Sequence, residues 1–124
     1  MKNEHIILVA DRNPRIRNFL QRELRCEGHR VYTAESVDQL KQWFHRPSRL
    51  DALVIDPDMP GLGSKVDLAD LLSLKPGLAV IFHCLIKDGF AIRAPGRVLT
   101  FVEKSGQSVD QLKHQLRTIL METG

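Results

Sequence analysis

The sequence predicts an α/β fold: a doubly wound, five-stranded parallel sheet in the order 2-1-3-4-5, with helices on both faces. Three observations carry this reading. Short apolar runs such as IILVA and ALVI recur along the 124 residues, and an uninterrupted apolar run of that length fits a strand covered on both sides. Between the runs, apolar residues are spaced at three and four, the period of a helix with one buried face. Capping chemistry also falls where each helix has to begin, and strands alternating with helices in this way build a parallel sheet.

The first strand spans residues 6–11, IILVAD. Asn13 and Pro14 follow as an N-cap and a favoured first helical residue, and Ile16, Phe19, Leu20 and Leu24 give that helix its inner face until Gly28 stops it. A short strand at 31–33 leads to a second helix, where Ser36 and Gln39 form a capping box and Val37, Leu40, Trp43 and Phe44 point inward. Trp43 reads as core. The third strand ends at Asp56, a third helix turns Leu68, Leu71 and Leu72 inward, and AVIF at 79–82 forms the fourth strand. The stretch LIKDGFAIRAPG, 85–96, contains Gly89, Pro95 and Gly96 and lacks a clean helical period, so any helix there is short or distorted. A fifth strand at 98–102 precedes a last helix opened by Ser108 and Gln111 as a second capping box, with Leu112, Leu116, Ile119 and Leu120 apolar.

Composition limits the function classes. One domain, 1–124, accounts for the length, and 43% hydrophobic with 27% charged residues is a globular rather than a disordered balance. No apolar run nears the roughly 20 residues of a membrane span, and IILVA is too short and wrongly flanked for a signal peptide. The expected compartment is the cytoplasm, away from membranes. Cys26 and Cys84 lack a CxxC spacing and read as reduced thiols, not as zinc ligands or a disulfide. The net charge of +3 is uneven, since residues 1–50 hold ten Lys and Arg against six acids and the rest hold eight against nine. The arginines at 12, 15, 17, 22, 25 and 30 read as a solvated helix face. Nucleic-acid binding is not expected, because no aromatic residues are interleaved for base stacking.

The strand ends carry the chemistry. In LVIDPDMPG, 53–61, Asp56 stands where an apolar strand leaves the core. A lone Asp there commonly caps or turns, but Asp11 ends the first strand, His83 and Cys84 end the fourth, and Lys104 follows the fifth. In the order 2-1-3-4-5 those ends share one rim. The first and third strands are neighbours at the switch point, where a ligand crevice opens. Two carboxylates and an ammonium gathered there read as a phosphoryl or metal site. His83 reads as a packed or hydrogen-bonded residue, Phe101 as core, and His5, His29, His45 and His114 as surface residues with no assigned role.

On these residues the chain resembles the receiver domains of two-component response regulators, the family of the chemotaxis response regulator. The resemblance rests on Asp11, on Asn13-Pro14, on Asp56 followed by Met59-Pro60-Gly61, on Phe101 and on Lys104, and it spans essentially the whole chain. It implies that Asp56 accepts a phosphoryl group from a histidine kinase or phosphotransfer protein, and that an output protein or domain reads the result. It also implies that Mg2+ is held by Asp11, Asp56 and the backbone carbonyl of Asp58, that Lys104 offsets phosphoryl charge, and that Cys84 and Phe101 occupy the switch positions.

The sequence departs from that family in four places. Arg12 stands where a second acid is usual, so Asp11, Asp56, Arg12 and Lys104 balance without a metal, and weak or absent Mg2+ affinity is expected. Arg12 either pairs with Asp56, meets a phosphoryl oxygen, or swings into solvent. Cys84 replaces a Thr or Ser hydroxyl with a poorer donor. Ser105 replaces a Pro, which makes a cis peptide there unexpected, and the region 85–96 that helps to contact output partners in the family is short and broken. Three functions follow: a phosphorylated signalling receiver; a phosphorylation-independent pseudo-receiver that binds proteins; and a phosphatase of the haloacid dehalogenase type, suggested by Asp56-Pro57-Asp58, although that motif belongs on a first strand and needs more chain.

Overall fold

The computed structural model of the protein describes residues 4–85 and 99–122. Strands β1 (Ile6–Ala10), β2 (Arg30–Ala34), β3 (Ala52–Ile55), β4 (Ala79–Cys84) and β5 (Leu99–Glu103) form one sheet in the order β2-β1-β3-β4-β5. Every neighbouring pair is parallel, as the sequence predicts. The helix expected to be short or distorted within 85–96 lies, apart from Leu85, outside the described residues. No described helix is long and apolar enough to cross a membrane.

Side-chain alternation along the strands divides the core in two. Leu8, Ala10, Leu53, Ile55, Val80 and Phe82 face one way, against helices α2 (Val37–His45) and α3 (Leu68–Ser73). Ile7, Val9, Val54, Ile81 and Val102 face the other way, against α1 (Pro14–Cys26) and α4 (Ser108–Glu122). All four residues of β3 are buried, which explains why its sequence carries no polar alternation.

Most helix signals act as read. Asn13 caps α1 by accepting from the Arg15 N–H at 2.9 Å, with Pro14 first in the helix. Gly28 takes a φ of 94° just past the end of α1, a conformation that glycine adopts without a Cβ penalty. Ser36 accepts from the Gln39 N–H at 3.2 Å, but the Gln39 side chain returns to the Glu35 N–H rather than to Ser36, so the box closes one residue early. The inner face of α3 is buried throughout.

Three expectations are corrected. Phe19 is 42% exposed instead of inward, and the Arg22 guanidinium lies over its ring; Leu20 and Leu24 hold the buried stripe of α1. Phe101, on the edge strand β5, is 50% exposed among the described residues instead of core, and its ring stacks on Phe82. Ser108 does not cap α4 from outside. It is the first helical residue and is buried, so the capping box with Gln111 does not form. Trp43 is half-buried at the core edge, against Tyr32 and under the Arg46 guanidinium.

The loop after β3 is pinned to α2. Met59 is buried in the α2–α3 layer, and Gly61, at a φ of 91°, approaches Val37 so closely that a Cβ would lie 2.9 Å from its Cγ2. Packing of this tightness fixes where β3 releases the chain.

Ser108 turns its hydroxyl inward to His83 on β4. The His83 Nε2 lies 3.0 Å from Ser108 Oγ, and the Ser108 hydroxyl donates to the Ser105 carbonyl at 3.0 Å. With its one proton committed there, Ser108 accepts from the ring, so His83 is the neutral Nε2–H tautomer. Burial first, and then the Lys104 charge, push the His83 pKa down to about 4. An unfolded chain takes up a proton near pH 6.5 that the folded chain refuses, so stability falls as the pH drops from 6.5 toward 4. From pH 7.5 to pH 5 the loss from this group is about 2 kcal/mol. Urea unfolding at both pH values should show that loss in the native protein, and a clearly smaller one in His83→Gln; equal losses refute the assignment.

Candidate functional site

The sheet register builds the site. Ala10 pairs with Ile55 across β1 and β3, so Asp11 and Asp56, each one residue further on, emerge side by side. Their backbones still belong to the ladder: Asp11 N–H donates to Ala34 O at 3.2 Å and Asp56 N–H to Ala10 O at 2.9 Å. Both residues are buried, at 2% and 4% exposure, where an ionised carboxylate needs compensation.

Each carboxylate is held in the same way. The Oδ1 of Asp11 accepts the Asn13 N–H and the Oδ1 of Asp56 accepts the Asp58 N–H, both at 2.9 Å; such turns fix the carboxylate against its own backbone. The Oδ2 atoms share one cation, with Lys104 Nζ 3.1 Å from both. Lys104 N–H donates to the Cys84 carbonyl at 2.7 Å, which seats the lysine over the end of β4. Burial acts to lower the Lys104 pKa, but the hydrogen bonds and charges of Asp56 and Asp11 outweigh it and raise the pKa above the ordinary lysine value. Removing such a lysine strands two buried anions, a loss of about 3–5 kcal/mol.

A cavity of about 380 Å3 opens above these groups, lined by Asp11, Arg12, Asn13, Asp56, Asp58 and Lys104 among others. Arg12 is exposed at its edge. Among the described residues it makes no ion pair with Asp56; the solvent-facing arrangement is the one found. The donors that Mg2+ would meet are two carboxylates, each already bonded by a backbone N–H and by Lys104, and the Asp58 carbonyl. No group of three or more His, Cys, Asp and Glu able to hold a metal occurs among the described residues. This is one acid short of the pocket that the resemblance implies, with Arg12 in the acid's place.

The remaining candidates divide. The Asp58 side chain is exposed. Cys84 is buried at the end of β4 and does not line the cavity, and Phe101 lies outside the cavity on β5. Several arginines of the basic run are engaged, Arg17 of α1 with Glu35 and with the Asp11 carbonyl, Arg22 of α1 with Glu23, and Arg30 of β2 with Glu4, so they do not present a uniform basic surface. Sequence reasoning missed the His83–Ser108 bond, which joins residues 25 apart with no spacing signal. It also missed the His5–His29 pair, with ring centroids 5.7 Å apart at the opposite end of β1 and β2.

No family model matches the sequence, and no curated protein does. Solved structures match throughout. The receiver domain of the Francisella response regulator 1452 superposes with a TM-score of 0.76 at 19% identity, over 97% of this chain and 99% of that one. The chemotaxis protein CheY4 of Vibrio cholerae gives 0.74 at 16%, over 94% and 98%. The response regulator protein TrrA of Thermotoga maritima, in complex with Mg2+-BeF, gives 0.70 at 26%, over 93% and 98%. Over nearly its whole length, the chain has the fold of the response regulator receiver domains.

Proposed function

We propose that this chain is a cytoplasmic phosphorelay receiver: Asp56 takes a phosphoryl group from a histidine kinase or phosphotransfer protein, and the phosphorylated form changes its affinity for an output protein or domain. The observation that carries the reading is the Lys104 ammonium, 3.1 Å from both Asp56 and Asp11 at the switch point of the sheet. One Asp56 oxygen attacks phosphorus as the bond to the donor imidazole nitrogen breaks, and the freed imidazole takes its proton from solvent. Transfer of this kind depends on position and charge more than on covalent help. Lys104 offsets charge from within the site, and Arg12 reaches the incoming oxygens from the mouth with its fork of donors. The protein is no enzyme in this reading beyond loading and unloading its own Asp56.

Mg2+ affinity is weak in this proposal, because Arg12 and Lys104 already balance the two carboxylates. The same balance favours the second reading, a pseudo-receiver whose site stays closed to phosphate and which serves as a protein-binding module. A phosphatase of the haloacid dehalogenase type has less support, since Asp56 follows the third strand in chain order rather than the first.

Incubation with a small phosphoryl donor, with and without Mg2+, should give one acid-stable, base-labile adduct that is lost in Asp56→Asn. Absence of the adduct from both the donor and a kinase that phosphorylates receivers would sink the receiver reading and leave the binding module. Arg12→Asp should raise Mg2+ affinity by at least about tenfold through charge reversal next to the carboxylates, read by calorimetric titration. Equal affinities in the two proteins would remove Arg12 from the account.

A further inference from the structure

We infer that His83 and Ser108 are positioning residues for Lys104: their hydrogen-bond chain holds the loop that places the lysine between Asp11 and Asp56. This rests on the receiver reading only where phosphoryl transfer is measured.

Among the described residues, packing does little to fix the loop that carries Lys104. Ser105, Gly106 and Gln107 are exposed, and beneath Lys104 and Ser105, between α1 and α4, there is a cavity of about 120 Å3 instead of close-packed side chains. The loop is therefore placed by hydrogen bonds. Its start is tied by Lys104 N–H to the Cys84 carbonyl at 2.7 Å. Its return depends on Ser105, whose hydroxyl accepts the Gln107 N–H at 3.2 Å and whose carbonyl accepts both the N–H and the hydroxyl of Ser108, at 3.2 and 3.0 Å. Besides Lys104's own bonds to Asp11 and Asp56, a described side chain that ties this turn to the sheet is His83, through its 3.0 Å bond to Ser108 Oγ.

His83 is suited to that task. It is only 3% exposed, and a ring donor buried to this degree is costly to leave unpaired. The bond is thus enforced from the histidine side, and Ser108, with its proton on the Ser105 carbonyl, passes the constraint to the residue next to Lys104. Proline, whose ring would stiffen this turn, is absent, and the His83–Ser108–Ser105 chain supplies rigidity from the interior. The His83 Nδ1 is buried with no partner among the described residues, so Nε2 is the ring's one anchored atom.

The test uses four variants. Ser108→Ala and His83→Leu break the chain, while Ser108→Thr and His83→Gln keep an oxygen acceptor and an N–H donor; thermal unfolding establishes which are folded. The first readout is the 15N-edited NMR signal of the Lys104 ammonium in unphosphorylated protein. It should be slow-exchanging and resolved in the native protein and in the two conservative variants, and broadened by water exchange in the two breaking ones. The second is the rate of phosphoryl uptake from a small donor, which should fall about tenfold in the breaking variants, since small misplacements of a charge partner are costly, and should recover in the conservative ones. The inference is overturned if folded Ser108→Ala and His83→Leu keep both the Lys104 signal and the uptake rate. It is equally overturned if the conservative variants lose as much as the breaking ones. Should the native protein take up no phosphoryl group, the receiver reading fails and the Lys104 signal alone decides this inference.

Discussion

The structure depends on one ammonium shared by two buried carboxylates. Parallel pairing of β1 with β3 leaves Asp11 and Asp56 no choice but to emerge as neighbours, and two ionised carboxylates in a desolvated crevice repel each other and have lost their hydration. Lys104 offsets both costs at 3.1 Å from each. It does so from the end of β5, which stands two strands from β3 and Asp56 and three strands from β1 and Asp11. Adjacent strands are about 4.8 Å apart, so the lysine stem cannot make that crossing from an upright position beside β5. The loop has to lean over the end of β4, where the Cys84 carbonyl receives it.

That requirement explains why the polar groups of the interior are arranged as they are. A core made only of β-branched and leucine side chains gives a loop no direction. A buried histidine with one satisfied nitrogen gives it one, at the cost of acid sensitivity, since burial and the nearby Lys104 oppose protonation of the ring. His83 and Lys104 are thus linked in two ways: the ring's hydrogen bond helps to place the lysine, and the lysine's charge helps to keep the ring neutral.

Much of this was legible in the sequence because parallel topology converts strand ends into positions. Once β1, β3 and β5 are read as apolar runs, Asp11, Asp56 and Lys104 are located on one rim without knowledge of any contact. What stayed hidden was whatever depends on how far a neighbour extends. Phe19 has the right phase for the α1 stripe, yet lies at its margin, where cover runs out and Arg22 provides the contact instead. Phe101 sits in an apolar strand, but among the described residues β5 has a strand on one side only. Ser108 and Gln111 satisfied the spacing of a capping box, and a histidine 25 residues earlier in the chain claimed the hydroxyl. Periodicity reports the phase of an element; it contains no term for a long-range partner.

Arg12 is the point at which fold and chemistry part. In the resting site its exposure leaves it to act through its field, and a field from the mouth of a crevice acts most strongly on whatever enters. In the resting site Lys104 is already committed to two acids, so Arg12 adds little to their stability. In the proposed receiver, a phosphoryl group on Asp56 would replace the carboxylate charge with a larger one, in a cavity that Arg12 also lines. A third acid would have made the empty site anionic and dependent on a divalent ion. In the proposal, an arginine in place of that acid lets Asp11, Asp56, Arg12 and Lys104 balance and puts the compensating charge near where the added charge would appear. In the proposed receiver a quiet pocket and a receptive one are therefore not opposed: the arginine proposed to weaken Mg2+ affinity at rest is also the one proposed to meet the phosphoryl oxygens.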